Sequence, residues 1–302
     1  MSADPTGVRH RLSSSNGSAE ITEVGASLRA LRIDGVDLVP HYPDTAATPA
    51  ASGVVLVPWP NRVRDGRWSQ RGTDYQLALT EPKLGNASHG LLRFAAYRVV
   101  GSQADAVTLE AQVFPQTGYP FHLATRVTYA LTDDGLEVLH RITNVGSDAA
   151  PVALGTHPYL CISDVPTAEL HLEVDAATWF RLDERNLPIS EEPVDAAHDL
   201  RTPRRVGDLT LDTAYSTLRR GADGRVRGVL HAPDGRRLEL WAGSGFEYLQ
   251  VFTTDRYPGQ DLAVAIEPMT APADALNSGR DLRWLEPGES WELEWGISLV
   301  RS

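Results

Sequence analysis

The clearest strand pattern in this chain is Trp291-Glu292-Leu293-Glu294-Trp295-Gly296-Ile297-Ser298-Leu299, in which apolar side chains occupy alternate positions. A period of two is typical of a β-strand that packs one face on a core and turns the other to water. The same alternation occurs in Val107–Val113, and again at Leu170, Leu172 and Val174. Helical periodicity is scarce along the whole chain, so the pattern predicts a protein built from strands.

Tight turns separate several of these alternating runs. Asp133-Asp134-Gly135 lies between a run that ends at Leu131 and one that begins at Leu136, and Pro233-Asp234-Gly235 lies between two others. Alternating runs joined through Asp-Gly predict β-hairpins. With 25 Gly and 20 Pro available for turns, the sequence predicts an all-β fold, a large antiparallel sandwich or barrel.

The chain shows no Gly/Ser-rich or Pro-rich linker and no repeat of fixed period. All-β sandwiches and barrels often exceed 200 residues as one unit, so we predict a single domain over residues 1–302. Its first ~20 residues are polar and form either an N-terminal extension or an edge strand. The polar, weakly periodic stretch Asp183–Asp208 is interpreted as a long surface excursion.

Charge and cysteine content exclude several classes of protein. The chain has 28 basic and 40 acidic residues, a formal net charge of −12, which disfavours binding to nucleic acid or an anionic membrane. A lone cysteine, Cys161 in an apolar stretch, rules out an intramolecular disulfide and predicts a buried thiol. Because the chain has no long apolar segment, we expect a cytoplasmic protein. We also expect it to be a monomer or a weak homodimer.

Two loops carry polar residues that packing does not explain. In Val57–Trp68, prolines on both sides of Trp59 stiffen the chain before Asn61 and Arg62. The guanidinium of Arg62 offers a planar fork of donors to sugar hydroxyls, although an ordinary ion pair with Asp65 explains it equally well. A Gly-rich loop carries His89, which alone is either a site residue or a solvated side chain.

Two further candidates lie at apolar strands. His157 follows an apolar run and precedes Pro158, and its imidazole can exchange a proton near neutral pH. Glu267 follows Leu262–Ile266, which resembles a fully buried strand, and burial raises the pKa of a carboxyl and suits it to act as a base. Asp212 is either a site residue or a turn residue.

Taken together, these segments resemble the aldose 1-epimerase (galactose mutarotase) family. The matching segments occur in the family's order and span most of the chain: Pro58 to Trp68, Ser88 to Leu91, Gly118-Tyr119-Pro120-Phe121, Leu131 to Gly135, Gly155 to Tyr159, Leu211 to Tyr215 and Ile266 to Pro272. After His89 the chain has Gly-Leu-Leu-Arg, where galactose-type enzymes carry a second Gly, and this resembles a shorter bacterial subgroup. The departure leaves the identity of the sugar open.

The resemblance implies a galactose-mutarotase-like β-supersandwich with a shallow sugar cleft, and it implies roles for residues. Glu267 matches the family's general base and His157 its general acid, while His89, Arg62 and Asp212 match its substrate-binding residues; Asn61, beside Arg62, is included with them. The implied activity is interconversion of the α and β anomers of a free aldohexose such as glucose or galactose. It needs neither a cofactor nor a metal.

Three other functions stay open at this stage. An epimerase for an anionic sugar, such as a hexose 6-phosphate or a sulfonated hexose, would need convergent cations, for which Arg62, Arg64 and Arg67 are candidates. A glycosidase would need two carboxylates flanking the bond, and Glu267 and Asp212 are available. A noncatalytic carbohydrate-binding protein of the same fold would bind anomers without accelerating their exchange.

Overall fold

The computed structural model of the protein describes residues 4–301 and is almost entirely β-structure, which confirms the predicted fold class. The strands are, in chain order, β1 (Arg9–Ser13), β2 (Gly17–Thr22), β3 (Leu28–Ile33), β4 (Val36–Asp37), β5 (Val55–Leu56), β6 (Arg62–Arg64), β7 (Arg67–Gln70), β8 (Thr73–Gln76), β9 (Asn86–Ser88), β10 (Arg98–Ser102), β11 (Ala106–Val113), β12 (Leu123–Leu131), β13 (Gly135–Asn144), β14 (Ala150–Val152), β15 (Gly155–Thr156), β16 (Tyr159–Leu160), β17 (His171–Val174), β18 (Ala176–Leu182), β19 (Pro188–Pro193), β20 (Arg204–Arg205), β21 (Asp212–Leu218), β22 (Val226–His231), β23 (Arg237–Ala242), β24 (Tyr248–Thr254), β25 (Ala263–Met269), β26 (Arg283–Leu285) and β27 (Ser290–Val300). One short α-helix, α1 (Ala275–Ser278), and three 3₁₀ turns, Pro49–Ala51, Thr167–Glu169 and Val206–Asp208, complete the regular elements of residues 4–301.

Two large antiparallel sheets dominate the structure. The first has nine strands in the order β10-β11-β12-β13-β27-β23-β22-β17-β20, and the second has eight, in the order β19-β18-β21-β24-β25-β15-β5 with β16 pairing to β25. A smaller sheet contains β1 to β4, with β1 at its edge. The nine-stranded sheet includes both predicted hairpins, β12–β13 and β22–β23.

The two large sheets pack face to face. Gly228 of β22 lies so close to the second sheet that a Cβ there would come within 2.7 Å of Ile266 on β25. A glycine inside a strand often marks such a close approach. Ile266 is fully buried, as are Leu230 and Leu240 on the first sheet, so the main core lies between the sheets.

Alternation along the second sheet places polar side chains on the face turned away from this core. On β25, Val264 and Ile266 belong to the main core, whereas Glu267 points to the opposite face. Gln250 on β24 lies directly across from Glu267, and Asp212 on β21 is two positions along the strand from the residue paired with Gln250. Three adjacent strands therefore present three polar side chains on one face.

The stretch Asp183–Asp208, interpreted from the sequence as a long surface excursion, contains two strands at the edges of the large sheets. It contains β19, which pairs with β18 at the edge of the second sheet, and β20, which pairs with β17 at the edge of the first. Neither side of β19 is fully buried. An edge strand in this setting keeps polar residues at alternating positions, and the apolar periodicity that identifies other strands is missing.

Cys161 is buried, as its apolar surroundings predicted. Burial raises the pKa of its thiol to about 12, so the thiolate that reacts with oxidants and electrophiles is scarce at neutral pH. Within residues 4–301, no helix is long and apolar enough to span a membrane.

Substitution of Ile297 on β27 tests how much the packing at the centre of the first sheet contributes to stability. Ile297 is fully buried and lies between Leu136 on β13 and Leu240 on β23. We expect Ile297→Ala to lower the free energy of unfolding by about 2–5 kcal/mol, because it removes apolar contact and leaves a cavity. Urea titration measures the change. Ser298→Ala, on the opposite face of the same strand, is the control and should stay within about 0.5 kcal/mol of the parent.

Candidate active site

A cavity of about 320 Å³ opens on the face of the second sheet that carries the polar side chains. This volume is at the lower end of the range for small-molecule sites and fits one sugar ring better than an oligosaccharide. All six residues predicted from the sequence line it. The lining residues are Ala50, Ala51, Asn61, Arg62, Thr80, Glu81, Ser88, His89, Arg93, His157, Asp212, Gln250, Phe252 and Glu267.

Glu267 and His157 form a buried pair in this cavity. The Oε1 atom of Glu267 lies 3.3 Å from Nε2 of His157, and the side chains are only 3% and 8% exposed. Burial, assisted by the negative charge of Asp212, raises the pKa of Glu267 well above its ordinary value, although Arg62 opposes the rise. Burial also lowers the pKa of His157, and the positive charges of Arg93 and Arg62 add to this. The two shifts together favour an uncharged carboxylic acid beside an uncharged imidazole.

The chain around His157 fixes the position of the imidazole. Its backbone N–H donates to the carbonyl of Val54, and its own carbonyl accepts from the N–H of Gly53 at 2.7 Å. The ring stacks on Tyr159, with 5.2 Å between centroids and 24° between planes. Pro158 follows at once, which limits the backbone and ends the short strand β15.

His89 occupies a tight loop directly opposite His157. Its backbone has a φ of +62°, and its N–H donates to the carbonyl of Asn61 at 2.8 Å. Gly90 has a φ of +68°, and a Cβ there would come within 2.1 Å of the carbonyl oxygen of Val57, so only glycine fits. The edge of the His89 ring meets His157 with centroids 5.7 Å apart. Burial lowers the pKa of His89 well below 6.5, and the neighbouring His157 adds to the shift.

Arg62 pairs with Glu81 instead of Asp65. Its Nε and one terminal nitrogen donate to the two carboxylate oxygens of Glu81 at 2.8 and 3.1 Å, a bidentate pair. Asp65, the partner that its position suggested, pairs with Arg185. The pair holds the Arg62 guanidinium within the cavity, where its other terminal nitrogen lies 3.8 Å from Asp212.

Asp212 is held at the sheet surface by two amides. Its Oδ1 accepts from Gln250 at 2.6 Å and its Oδ2 accepts from Asn186 at 2.9 Å. Burial raises the pKa of Asp212, and the charge of Arg62 and the bond from Gln250 oppose the rise. Asn61, buried with a φ of +55°, donates to the amide oxygen of Gln250 at 3.4 Å. Asn61, Gln250 and Asp212 thus form one connected polar network.

Several lining residues were missed by the sequence reasoning. Glu81, Arg93 and Phe252 carry no local signal of a site, whereas Gln250 is a polar residue between the buried Leu249 and Val251 and could have been singled out. Three aromatic side chains that lie in or near the candidate segments, and that could in principle stack on a sugar ring, pack elsewhere. Trp59 and Phe246 belong to the main core, and Tyr159 packs in a smaller buried cluster; none of the three lines the cavity.

The arginines proposed for anion capture do not converge. Arg64 pairs with Asp183 and Asp274, and Arg67 donates to Gln76 on the neighbouring strand. Neither lines the cavity. Of the three arginines suggested by the sequence, only Arg62 reaches the site, and it is already paired.

A second cleft of about 280 Å³ lies on the first sheet and is lined by many charged residues. Its charges are largely matched: His231 contacts Glu173, and Arg227 contacts both Asp223 and Glu239. Paired surface charges of this kind contribute little energy and make no special demand for a ligand. The cavity of Glu267 and His157, with its buried titratable pair, is therefore the candidate active site.

Solved structures with the same fold are galactose-mutarotase-like proteins. A galactose mutarotase-like protein from Clostridium acetobutylicum superimposes with a TM-score of 0.85 at 18% identity, over 97% of this chain and 95% of that one. Galactose 1-epimerase from Lactobacillus acidophilus NCFM superimposes with a TM-score of 0.80 at 19% identity, over 97% and 94% of the two chains. The fold is thus the galactose-mutarotase-like supersandwich.

Sequence comparison gives the family. The model of the aldose 1-epimerase family matches residues 9–298. The chain is also 33% identical over 282 residues to YihR, an uncharacterized protein of Escherichia coli K12, covering 92% of this chain and 89% of that protein. This protein belongs to the aldose 1-epimerase family.

Proposed function

We propose that the protein is a mutarotase, an isomerase that interconverts the α and β anomers of a free aldose by opening and closing its ring. The observation that carries this proposal is the buried pair of Glu267 and His157, 3.3 Å apart in a cavity of monosaccharide size. Anomer exchange moves one proton from the C1 hydroxyl and one to the ring oxygen. One base and one acid on the same side of a sugar ring supply both transfers.

In the productive state the carboxylate of Glu267 accepts the proton of the C1 hydroxyl. The electron pair of that O–H bond forms the C1 carbonyl, the bond from C1 to the ring oxygen breaks, and the ring oxygen takes a proton from His157. Rotation about C1–C2 turns the other face of the carbonyl toward the ring oxygen. The same steps in reverse close the ring as the other anomer and restore the proton on His157.

This mechanism needs one proton on the pair, in addition to the N–H of neutral imidazole. The free protein favours that proton on Glu267, because burial disfavours both charged forms. Moving it to His157 creates the carboxylate and imidazolium that react. A C1 hydroxyl that donates a hydrogen bond to Glu267 stabilises the carboxylate and therefore favours this transfer.

We assign the surrounding polar side chains to sugar binding. Arg62 and Asn61 present donors to the cavity, and Asp212 presents an acceptor whose position is fixed by Gln250 and Asn186. His89, next to His157, contacts the same end of the ring. These groups position C1 against Glu267, and positioning of this kind lowers the entropic part of the barrier.

Anomer exchange measured on freshly dissolved sugar tests the proposal. We expect the protein to accelerate the approach of α-glucose or α-galactose, or of an anionic aldose, to anomeric equilibrium, followed by polarimetry or by NMR exchange of the C1 protons. A glycosidase would instead release sugar from an aryl glycoside. A protein that binds sugars but leaves their anomerisation at the spontaneous rate would refute the mutarotase.

The pH dependence of anomerisation should reflect the unusual pair. The pair is active when it carries one proton. At low pH a second proton binds to His157, whose pKa lies below 6.5, and at high pH the one proton is lost from Glu267, whose pKa lies above 4.5. We therefore expect kcat/KM to remain on a plateau as pH falls through 6.5 and to decline only at lower pH. Initial rates between about pH 4 and about pH 9, corrected for the spontaneous reaction, measure this. An acid limb with its midpoint at 6.5 would mean that His157 titrates as an ordinary imidazole.

A further inference from the structure

One turn at the edge of the second sheet contacts the loop that holds Arg62. The turn Asp183–Leu187 joins β18 to β19. A carboxylate oxygen of Asp183 accepts from the backbone N–H groups of Arg185 and Leu187 at 2.9 and 3.0 Å. Bonds of this kind from an aspartate to the backbone that follows it hold a turn in one conformation. The side chains of the turn therefore leave it in fixed directions.

Arg185 anchors this turn to the loop before β9. Its Nε donates to the carbonyl of Leu84 at 2.8 Å, and one terminal nitrogen lies 2.9 Å from both the carbonyl oxygen of Gly85 and a carboxylate oxygen of Asp65. Gly85 has a φ of +69°, and a Cβ there would come within 2.9 Å of that terminal nitrogen, so a larger residue would displace the guanidinium. Arg185 does not line the cavity, so any effect that it has on a bound sugar is indirect.

A continuous set of contacts leads from Arg185 to Arg62. The fully buried amide of Asn86 donates to the backbone carbonyl of Arg185 at 2.9 Å and accepts from its guanidinium at 3.3 Å. Asn86 and Glu81 exchange backbone hydrogen bonds of 3.0 and 3.2 Å. Glu81 in turn holds the guanidinium of Arg62 through the bidentate pair. The orientation of Arg62 in the cavity therefore depends on the position of Arg185.

A second contact leads from the same turn to Asp212. Asn186, which follows Arg185, has a φ of +56° and donates to Oδ2 of Asp212 at 2.9 Å. That oxygen is also the one that lies 3.8 Å from a terminal nitrogen of Arg62. A binding group keeps its geometry only when the residues around it are themselves held in place. One turn thus supports both a donor and an acceptor of the cavity.

We propose that Arg185 is a positioning residue, which holds the turn in place and so fixes the donor of Arg62 and the acceptor of Asp212 as one unit. This inference rests on the proposed function, which assigns these two groups to sugar binding. Groups that bind the ground state and the transition state equally act on KM and leave kcat unchanged. Loss of Arg185 should therefore appear in KM, while proton transfer by Glu267 and His157 should keep its rate and its pH dependence.

The kinetics of Arg185→Met test this assignment, because methionine keeps most of the length of the side chain and removes its donors. The substrate is whichever of α-glucose, α-galactose and glucose 6-phosphate the parent anomerises fastest. We expect KM to rise by about tenfold to hundredfold, the range for loss of a hydrogen bond to a charged group. We expect kcat to change by less than about twofold, since the proton-transfer groups stay in place. A purely structural defect would instead lower the folded fraction, and with it the apparent kcat, at an unchanged KM.

Two further variants control this experiment. Arg181→Met is the matched control, because Arg181 lies on the strand that leads into the turn, is 55% exposed, pairs with Glu192 and does not line the cavity. It removes the same charge and should leave KM unchanged. Arg185→Lys keeps the charge but not the planar fork of donors, and it should recover part of the loss in KM.

Exchange of the Nε–H of Arg62 with solvent, measured by NMR on protein that carries isotope-labelled arginine, tests the positioning without turnover. We expect Arg185→Met to make this exchange about tenfold faster or more, because the bond to Glu81 is held less firmly, and Arg181→Met to leave it unchanged. Unchanged exchange in Arg185→Met, or a KM equal to that of the parent, would overturn the positioning role. A parent that accelerates no sugar would refute the mutarotase, and the exchange measurement would still decide whether Arg185 positions Arg62.

Discussion

Glu267→Gln is expected to lower kcat for anomerisation by about 10²–10⁴-fold, the usual contribution of a positioned proton-transfer group. The amide has nearly the shape of the carboxylic acid, so the sugar should still bind. It has no basic oxygen, however, and cannot take the proton from the C1 hydroxyl. Polarimetry at saturating sugar measures kcat, and KM should change far less than kcat because the lost interaction belongs mainly to the transition state.

The same substitution should not destabilise the protein. A carboxyl whose pKa is raised in the folded state binds its proton more tightly there than in the unfolded chain, so stability is lost as pH rises above the ordinary value of 4.5. Glutamine carries no charge at any pH and avoids this loss. We therefore expect the Tm of Glu267→Gln at neutral pH to equal or exceed that of the parent. An inactive protein with a lowered Tm would point to a structural defect.

Glu137→Gln provides the control for Glu267→Gln. Glu137 is exposed on β13 of the other sheet, so the change removes one carboxylate without touching the cavity. Its rate should equal that of the parent. A Glu267→Gln protein with a rate near that of Glu137→Gln would remove Glu267 from the mechanism.

The sequence predicted the fold, and singled out six residues that line one cavity, more readily than it predicted their contacts. Glu267 stood out because a lone acid follows the apolar run Leu262–Ile266 in a strand that is buried along its whole length. The antiparallel pairing of β25 and β21 with β24 brings the carboxyls of Glu267 and Asp212 to one surface. The hairpin turns could also be predicted, because the Asp-Gly pairs that indicate them are local features of the sequence.

Contacts between loops could not be predicted from the sequence in this way. The pair of Arg62 with Glu81 joins residues 19 positions apart, and no periodic pattern links them. Asp65 was the closer acid in sequence, but it lies in the turn between β6 and β7 and pairs with Arg185, 120 positions away. Arg93 was missed for a related reason. The acids nearest to it in sequence, Glu81 and Asp105, are each twelve positions away, and only the fold decides whether an acid so distant in sequence reaches it.

His157→Asn is expected to lower kcat for anomerisation by about 10²–10⁴-fold, because no proton then reaches the ring oxygen as the ring opens. The asparagine amide can still donate a hydrogen bond, so binding should weaken less than turnover. Water protonates the ether-type ring oxygen only in strong acid, so the deficit should persist across the pH range in which the parent is active. Rates of the parent and variant, compared over the same pH range by polarimetry, measure it.

His41→Asn is the control for this variant, since His41 is 67% exposed and does not line the cavity. It should keep the parent rate. The double variant Glu267→Gln with His157→Asn completes the test. When two groups act as one proton-transfer unit, the effects of their substitutions on the rate are not additive. The double variant should therefore be about as slow as the slower single variant. Losses that multiply in the double variant would mean that the two residues act independently, and the shared proton of the buried pair would have no part in the reaction.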